Sequence, residues 1–379
     1  MKDKVKVLEI MHGLAPGGIE SFVLNMHENI DKSNLDIRFA IACHGKQHHE
    51  ERVLNQGGVI YRTNDLNGIK NILKHFFSLI KLLKKEGPFD VVHSHIDFFN
   101  GINMVAAFIA GVPIRVAHAH NTNSAHTQNE APSLGIKMYR KVMRILVNTF
   151  STSRLGCCRE ANIYLYGQNL GNDDNSIVIH NGVDIEKFSY KNCPPIENVS
   201  IDKEKINLIT IGRICEQKNS KFIVEIINEL SKIRDDIHLY WVGKGPQEED
   251  VKKLIEEYKL ESNITLLGVR KDIPQLLSNM NYMLFPSKWE GLPVTLVETQ
   301  VANVPCFVSD KITTEANLGL CTTISLEKNA QQWAREINKY INEKSYNYKI
   351  DNDKLNKFNI KEVVKDIEQI YISNNRSLA

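Results

Sequence analysis

Two carboxylates in a Glu-x7-Glu spacing, Glu290 and Glu298, fall where a chain can do chemistry with an anionic ligand. Ahead of them Tyr282 to Phe285 is a short apolar run stopped by Pro286, the pattern of a buried parallel strand. Ser287 to Leu292 is a polar turn, and Pro293 suits a first helical position, where its missing N–H has no intrahelical partner. Val294 to Ala302 reads as a helix and Cys306 to Val308 as the next strand. The N–H groups of Gly291, Leu292, Val294 and Thr295 would gather at the positive end of that helix and receive a phosphate. A carboxylate can accept two hydrogen bonds from a vicinal diol. With Glu290 beyond the phosphate and Glu298 reaching back from within the helix, a ring is clasped on each side. Ribose, diphosphate and hexose in a row describe a nucleotide sugar. Two isolated glutamates would be ordinary solvated groups; this frame sets them apart.

Three other corners repeat the strand, glycine turn and helix. His12 to Gly18, with Gly17 and Gly18, precedes a helix from Ile19 to Ile30, and lets a backbone come close to a ligand. It is not the G-x-G-x-x-G dinucleotide fingerprint. Gly212 to Asn219 follows the strand Ile206 to Ile211 and carries Arg213 and Lys218, which could grip a diphosphate as a fork and a mobile point charge. Gly268 to Pro274, with Val269 and Arg270, offers backbone groups to a nucleobase. A cluster of histidines, His93 and His95 then His118 and His120, falls at the ends of two strands in the first half. Sugar contacts are expected of it before metal ligation, because Asp97 is the only carboxylate in those runs.

Positioning these groups requires a regular scaffold. Strands at 5–11, 37–43, 59–62, 91–93 and 115–117 alternate with helices at 50–56, 67–85 and 103–110. A second series has strands at 206–211, 238–242, 264–267, 282–285 and 306–308, with helices at 221–232, 247–258 and 276–281 between them. Alternation of this kind gives right-handed crossovers and doubly wound parallel sheets, which bind ligands at the C-terminal strand ends. Helices are also expected at 330–343 and 359–373, with a surface loop at 345–354. The polar, proline-containing stretch Asn192 to Lys205 marks a boundary.

At 379 residues with 42% hydrophobic and 24% charged residues, the chain is an ordinary globular one with material for two cores. A net charge of +2 gives no reason to expect nucleic acid. Seven cysteines without a C-x-x-C pair read as reduced thiols of a cytosolic protein. No leader is expected ahead of the first strand, and the longest apolar run, Met104 to Ile114, is too short for a bilayer, which takes roughly 20 residues. Leu134 to Phe150 carries Lys137, Arg140, Lys141 and Arg144 along one side of a helix. Such a face is solvated, or docks on anionic lipid and meets a lipid-pyrophosphate acceptor.

The run Phe285-Pro-Ser-Lys-Trp-Glu-Gly-Leu-Pro-Val-Thr-Leu-Val-Glu298 resembles the signature of the retaining glycosyltransferases of family 4. Gly17-Gly18-x-Glu20 is similar to that family's N-terminal loop, Gly212-Arg213 with Lys218 to its phosphate motif, and Asn181-Gly-Val-Asp184 to its linker between lobes. The resemblance implies the GT-B fold, two doubly wound Rossmann-like domains facing a cleft. It places the N-terminal domain at 1–183, with a C-terminal helix at about 357–379 returning to it, and the nucleotide-sugar domain at 184–356. It also implies a sugar contact by His120, with His118 as the competitor. Transfer would then be front-face, with Arg213, Lys218 and helix N-termini stabilising the leaving diphosphate in place of a divalent metal. His120, Glu290, Arg213 and Lys218 are the expected catalytic set, and no cofactor is expected. Ala117 to Thr122 and Gly268 to Pro274 look most like the branch that builds capsular or exopolysaccharide repeat units. That branch uses UDP-sugars and lipid-linked saccharide acceptors at the inner membrane face, so a monomer or weak dimer, cytoplasmic and peripheral, is expected. The same frame serves nucleotide-sugar epimerases, and a binding-only sensor is the non-enzymatic alternative.

Overall fold

The computed structural model describes residues 4–15, 17–122, 133–189, 196, 199–343 and 349–376. The chain divides into two compact units, Met1–Val183 with Lys357–Ala379, and Asp184–Asn356. In the first, strands β1 (Val5–Met11), β2 (Leu35–Ile41), β3 (Val59–Arg62), β4 (Val91–Ser94), β5 (Ile114–Ala119), β6 (Ser153–Gly156) and β7 (Ser176–Val178) form one parallel sheet ordered β3-β2-β1-β4-β5-β6-β7. In the second, β8 (Ile206–Ile211), β9 (Ile237–Val242), β10 (Ile264–Gly268), β11 (Tyr282–Phe285), β12 (Cys306–Ser309) and β13 (Cys321–Ile324) form another, ordered β10-β9-β8-β11-β12-β13. Both have helices between the strands, the doubly wound α/β architecture expected from the alternation.

The strands are apolar because both sheet faces are covered. In β1, Lys6 lies at the open start and Val7 to Met11 are buried throughout. The first core gathers Val7, Phe22, Phe39, Val91 and Val116 with Val363, Ile367 and Tyr371 from helix Ile360–Arg376. That last helix packs against helix Gly18–Asn29. It is anchored where Val183 and Asn359 pair, with Val183 N–H donating to Phe358 O at 2.7 Å and Ile360 N–H to Val183 O at 3.0 Å. The second core gathers Leu208, Ile227, Leu239, Trp241, Leu284 and Phe307 with Trp333 and Ile337.

Several local expectations shift. Pro293 caps helix Val294–Val301 from outside instead of opening it. The short helix expected at 276–281 is Ile273–Leu277, and the loop expected at 345–354 ends in a helix, Asn352–Lys357. Strand β13 and the helices Arg159–Tyr166, Gln168–Gly171 and Ile185–Phe188 have too few residues for periodicity to show them. Strand β5 runs to Ala119, so His118 lies inside the sheet.

Each sheet reverses its winding once, between β1 and β4 and between β8 and β11. Loops after such neighbouring strands diverge and leave room for a ligand at their C-terminal ends.

Candidate active site

In the second unit the loops after β8 and β11 are stitched together. Lys288 N–H donates to Gln217 O at 2.8 Å, Gln217 Nε2 to Trp289 O at 3.1 Å, and Asn219 Nδ2 to Pro286 O at 3.2 Å. Asn219 takes a left-handed conformation, φ 60°, to turn the loop into helix Ser220–Ser231. The result brings Lys218 to Glu290. Lys218 Nζ donates to Glu290 Oε1 at 2.6 Å, while Gln217 Nε2 reaches Glu290 Oε2 at 3.3 Å. Lys218 also lies 4.5 Å above the centre of the Phe285 ring, a cation over a π face. Gly212 allows this crossing: its φ is 153°, and a Cβ there would stand 2.8 Å from Lys218 Cε.

Of the groups expected to meet a diphosphate, Lys218 and Glu290 therefore come together as one ion pair, with side chains 17% and 9% exposed. Arg213 is exposed on the same loop. The N–H groups of Leu296 and Val297 turn back to Pro293 O, at 3.0 and 3.4 Å. Those of Val294 and Thr295 donate to no backbone carbonyl among the described residues and stand at the positive end of the helix. Leu292 is buried and Gly291 half-buried beside them. Glu298 is half-buried on the same helix, where burial raises its carboxyl to about 7 against the opposing charge of Lys187. Near neutrality it can thus donate as well as accept.

The base-facing expectation rests on main-chain groups, and the two side chains beside them differ. Val269 is 58% exposed just beyond β10, but Arg270 is turned onto its own loop. Its Nε and Nη2 donate to the two carboxylate oxygens of Asp272 at 2.8 and 2.5 Å, a fork that leaves the guanidinium spent on loop geometry.

In the first unit, Gly17 caps helix Gly18–Asn29 in an extended conformation. A Cβ on Gly17 would fall 2.3 Å from Glu20 Oε2, whereas one on Gly18 would meet nothing within 4 Å. The carboxylate of Glu20 thus lies over the helix start, and a phosphate binding there would have to displace it. Gly18 alone keeps the open approach expected of both.

The histidines form a buried stack. His93 and His118 are parallel at 5.3 Å between centroids, and His118 and His120 are stacked at 4.1 Å, as residues two apart on a strand should be. The expectation that Asp97 is the only carboxylate near them is corrected: Glu9, paired with His93 across β1 and β4, lies against them, fully buried. Glu9 Oε2 accepts from His95 Nε2 at 2.8 Å and Oε1 from the Tyr371 hydroxyl at 2.8 Å. Burial would raise the Glu9 carboxyl, but the charge and hydrogen bonds of His93 and His95 outweigh it and hold the group well below the usual carboxylate range. Burial, then the charge of His93, lowers His95 to about 4, and burial with the neighbouring rings takes His118 and His120 well below the ordinary histidine value.

Nitrogens of His93, His95 and His118 lie within 4.8 Å of one another, a spacing a metal ion could bridge. Those of His93 and His95 are all engaged, however: His93 with Tyr371 at 2.6 Å and His118 at 3.1 Å, His95 with Glu9 and with His120 at 2.9 Å. Asp97, at φ 41°, accepts from Asn121 Nδ2 at 2.5 Å and from backbone N–H groups of His120 and Asn121. It fixes the exit of β5. The run continues to Asn123, which lies outside the described residues.

Sequence reasoning passed over Glu9, Gln217 and Tyr371. Glu9 had a signal: a carboxylate among Val7, Leu8, Ile10 and Met11 of a parallel strand must be buried, and a buried charge needs partners. Gln217 and Tyr371 had none.

Helix Leu134–Phe150 separates its four cations. Arg144 donates to Leu165 O at 3.1 Å and Tyr164 O at 2.8 Å, and Arg140 lies over the rings of Phe98 and Tyr164 at 5.6 and 5.7 Å. Lys137 and Lys141 are exposed, flanked by exposed Leu134, Met138, Val142 and Ile145. Treating all four cations as one docking face is therefore corrected to two lysines in an apolar stripe. No helix among the described residues is long and apolar enough to cross a membrane.

Residues 16–187 match the model of Glycosyltransferase Family 4, and residues 196–357 that of Glycosyl transferases group 1. The chain is 31% identical to the putative glycosyltransferase EpsF of Bacillus subtilis, over 88% of this chain and 86% of that one. It is 28% identical to the capsular polysaccharide biosynthesis glycosyltransferase CapH of Staphylococcus aureus, over 97% and 99%. Among solved structures, Anabaena HepE in complex with UDP superposes with a TM-score of 0.70 at 16% identity, covering 99% of this chain and 98% of that one. Sucrose-phosphate synthase of Thermosynechococcus elongatus superposes with a TM-score of 0.75 at 12% identity, covering 99% and 100%. Two parallel Rossmann-like sheets, the loop pair carrying Lys218 and Glu290, and these similarities together make the chain a member of the family 4/group 1 glycosyltransferases, with the GT-B fold.

Proposed function

We propose that this glycosyltransferase moves a hexose or N-acetylhexosamine, with retention of configuration, from a UDP-sugar to a lipid-linked saccharide in capsule or exopolysaccharide synthesis. The observation that carries the reading is the Lys218–Glu290 pair beside the N–H groups of Val294 and Thr295, which donate to no backbone carbonyl among the described residues. A diphosphate arriving there meets a positive helix end, Lys218 and Arg213, and can draw Lys218 away from Glu290. That frees the carboxylate for a sugar hydroxyl as negative charge builds on the leaving group. Glu298 takes the other ring, backbone near Val269 meets the base, and His120 is the sugar contact that the family resemblance implies. These cations fill the role a divalent metal would have, so turnover should persist in chelator. Arg270 keeps its partner Asp272 and contributes only its main chain.

The donor and acceptor classes draw on relatives. HepE was solved with UDP, and a relative from Escherichia coli, 33% identical over 63% of this chain, is named as a UDP-Gal:alpha-D-GlcNAc-diphosphoundecaprenol alpha-1,3-galactosyltransferase. For membrane contact, Lys137 and Lys141 in the apolar stripe Leu134, Met138, Val142 and Ile145 suit shallow insertion into an anionic cytoplasmic leaflet.

Thermal-shift screening against UDP-, GDP- and ADP-sugars tests the donor, since a ligand bound only by the folded protein stabilises it. Glu290→Ala then tests the site. Turnover lost with UDP binding retained supports transfer, whereas unchanged turnover removes Glu290 from catalysis. Sugar interconversion with donor alone would replace transfer by epimerisation.

A further inference from the structure

The buried histidine stack is more than packing, because its hydrogen bonds have a direction. Glu9 is an ionised carboxylate and can only accept, so the 2.8 Å contact from His95 Nε2 requires the proton on that nitrogen. A neutral imidazole carries one proton, so His95 Nδ1 is bare. The 2.9 Å contact between His95 Nδ1 and His120 Nε2 then requires the proton on His120 Nε2. His120 Nδ1 is left as an acceptor; it is buried, faces the side-chain amide of Asn181, and makes no well-directed hydrogen bond among the described residues. The other Glu9 oxygen is held by Tyr371, which His93 also contacts, so the carboxylate cannot swing away from His95.

We infer that Glu9, acting through His95, is a positioning residue that fixes His120 in the Nε2–H tautomer, so that Nδ1 is a committed acceptor for a hydroxyl of the transferred sugar. The inference rests on the reading that His120 meets that sugar, and adds a selection rule to it. A group that donates a hydrogen bond is admitted at this nitrogen. One that only accepts, such as fluorine in place of hydroxyl, sets two lone pairs against each other at a buried nitrogen. Asn181 sharpens the alternative. Its Oδ1 is buried, lies against His120 without a well-directed partner among the described residues, and would take a proton from Nδ1 if the tautomer were reversed. Reversal demands a second proton on His95, which burial and the His93 charge oppose.

The test begins with donor-free protein labelled with 15N-histidine, its His120 signals identified by their loss in His120→Asn. Long-range 1H–15N spectra of the wild type should show Nε2 protonated and Nδ1 bare. Glu9→Leu, which keeps bulk and removes the acceptor, should give mixed tautomers at His120, and Glu9→Gln, whose amide oxygen can still take the His95 proton, should restore most of the single form. In turnover, one position of a monofluorinated UDP-sugar panel should lose roughly ten- to a hundredfold in kcat/KM on replacing hydroxyl by fluorine, and Glu9→Leu should shrink that ratio several-fold. A wild-type proton on Nδ1 overturns the inference, as does a stoichiometric metal ion on the stack, or a folded Glu9→Leu that keeps the single tautomer. If Glu9→Leu does not fold, the wild-type spectrum decides alone. Absence of any turnover with the expected tautomer in place would sink the transferase reading and leave the relay standing.

Discussion

The two units wind their sheets in the same order and fill the two switch points with opposite chemistry. Between β1 and β4 the side chains of Glu9 and His95 are 0% exposed, held by each other and by Tyr371 of the last helix. Between β8 and β11 the side chains of Lys218 and Glu290 are 17% and 9% exposed, carried on two loops at the sheet's C-terminal edge. A buried charge with satisfied partners defines one geometry and is costly to disturb. A pair at the rim can exchange its partner for a ligand. The fold provides the place; burial decides whether the polar groups there serve architecture or turnover.

Mutation at the two places should separate these roles, and the effects are the largest expected here. Glu290→Ala and Lys218→Ala should each lower kcat by about 10²–10³, with a loss of stability of about 1–3 kcal/mol, smaller than at Glu9. Because the two side chains pair with each other, Lys218→Ala/Glu290→Ala should cost less than the sum of the single changes. Glu9→Ala should do the reverse first. Removing the carboxylate strands buried imidazoles and leaves a cavity, at about 3–5 kcal/mol, which calorimetry would show as a lower transition for the first unit. Equal destabilisation by Glu9→Ala and Glu290→Ala would erase the contrast.

Acid should sharpen it. His95 is lowered to about 4, and so is His27, by burial and then by Lys32; both lie in the first unit. The unfolded chain binds protons on these groups from about pH 6.5 downwards while the folded unit refuses them until about 4, so this unit loses stability as pH falls through that window. Glu9 acts the same way at lower pH, since its carboxyl is depressed in the fold. Glu298, raised to about 7 by burial in the second unit, has the opposite sign. Its unfolded form ionises near 4.5, so its contribution is present at low pH and is lost as pH rises towards 7. Calorimetry between pH 4 and 7 should move the two transitions in opposite senses, and Glu298→Gln should flatten the second alone.

How much of this was legible in the chain follows from the same division. Strand alternation, glycine corners and the Glu-x7-Glu frame depend on local patterns, and the sheets, the 282–309 segment and the histidine edge are where those patterns put them. What local pattern cannot carry is a partnership between distant residues. Tyr371 meets Glu9 across 362 positions of sequence and Gln217 meets Glu290 across 73. Side-chain partners inside the loops were equally hidden: the Arg270 guanidinium is held by Asp272, and the Glu20 carboxylate lies over Gly17. In a loop a charged side chain takes the nearest satisfied geometry, and spacing alone does not say whether that is a ligand or a neighbour.

The smallest effect concerns the helix whose cations sequence spacing had grouped. Arg144 holds two backbone carbonyls of the neighbouring helix Arg159–Tyr166, and Arg140 covers Phe98 and Tyr164, so both belong to the scaffold. Lys137 and Lys141 stand among Met138 at 60%, Val142 at 43% and Ile145 at 56% exposure. On vesicles containing anionic lipid each exposed lysine should contribute about 1 kcal/mol, so Lys137→Gln and Lys141→Gln should each weaken binding about fivefold, and added salt should erase the difference. Arg144→Gln should leave vesicle binding nearly unchanged but lower Tm by several degrees, because the carbonyls of Tyr164 and Leu165 lose their donor. Were Arg144→Gln to weaken vesicle binding as much as Lys141→Gln at an unchanged Tm, the four cations would act as one face after all, and the distinction between scaffold and surface would fail where it is finest.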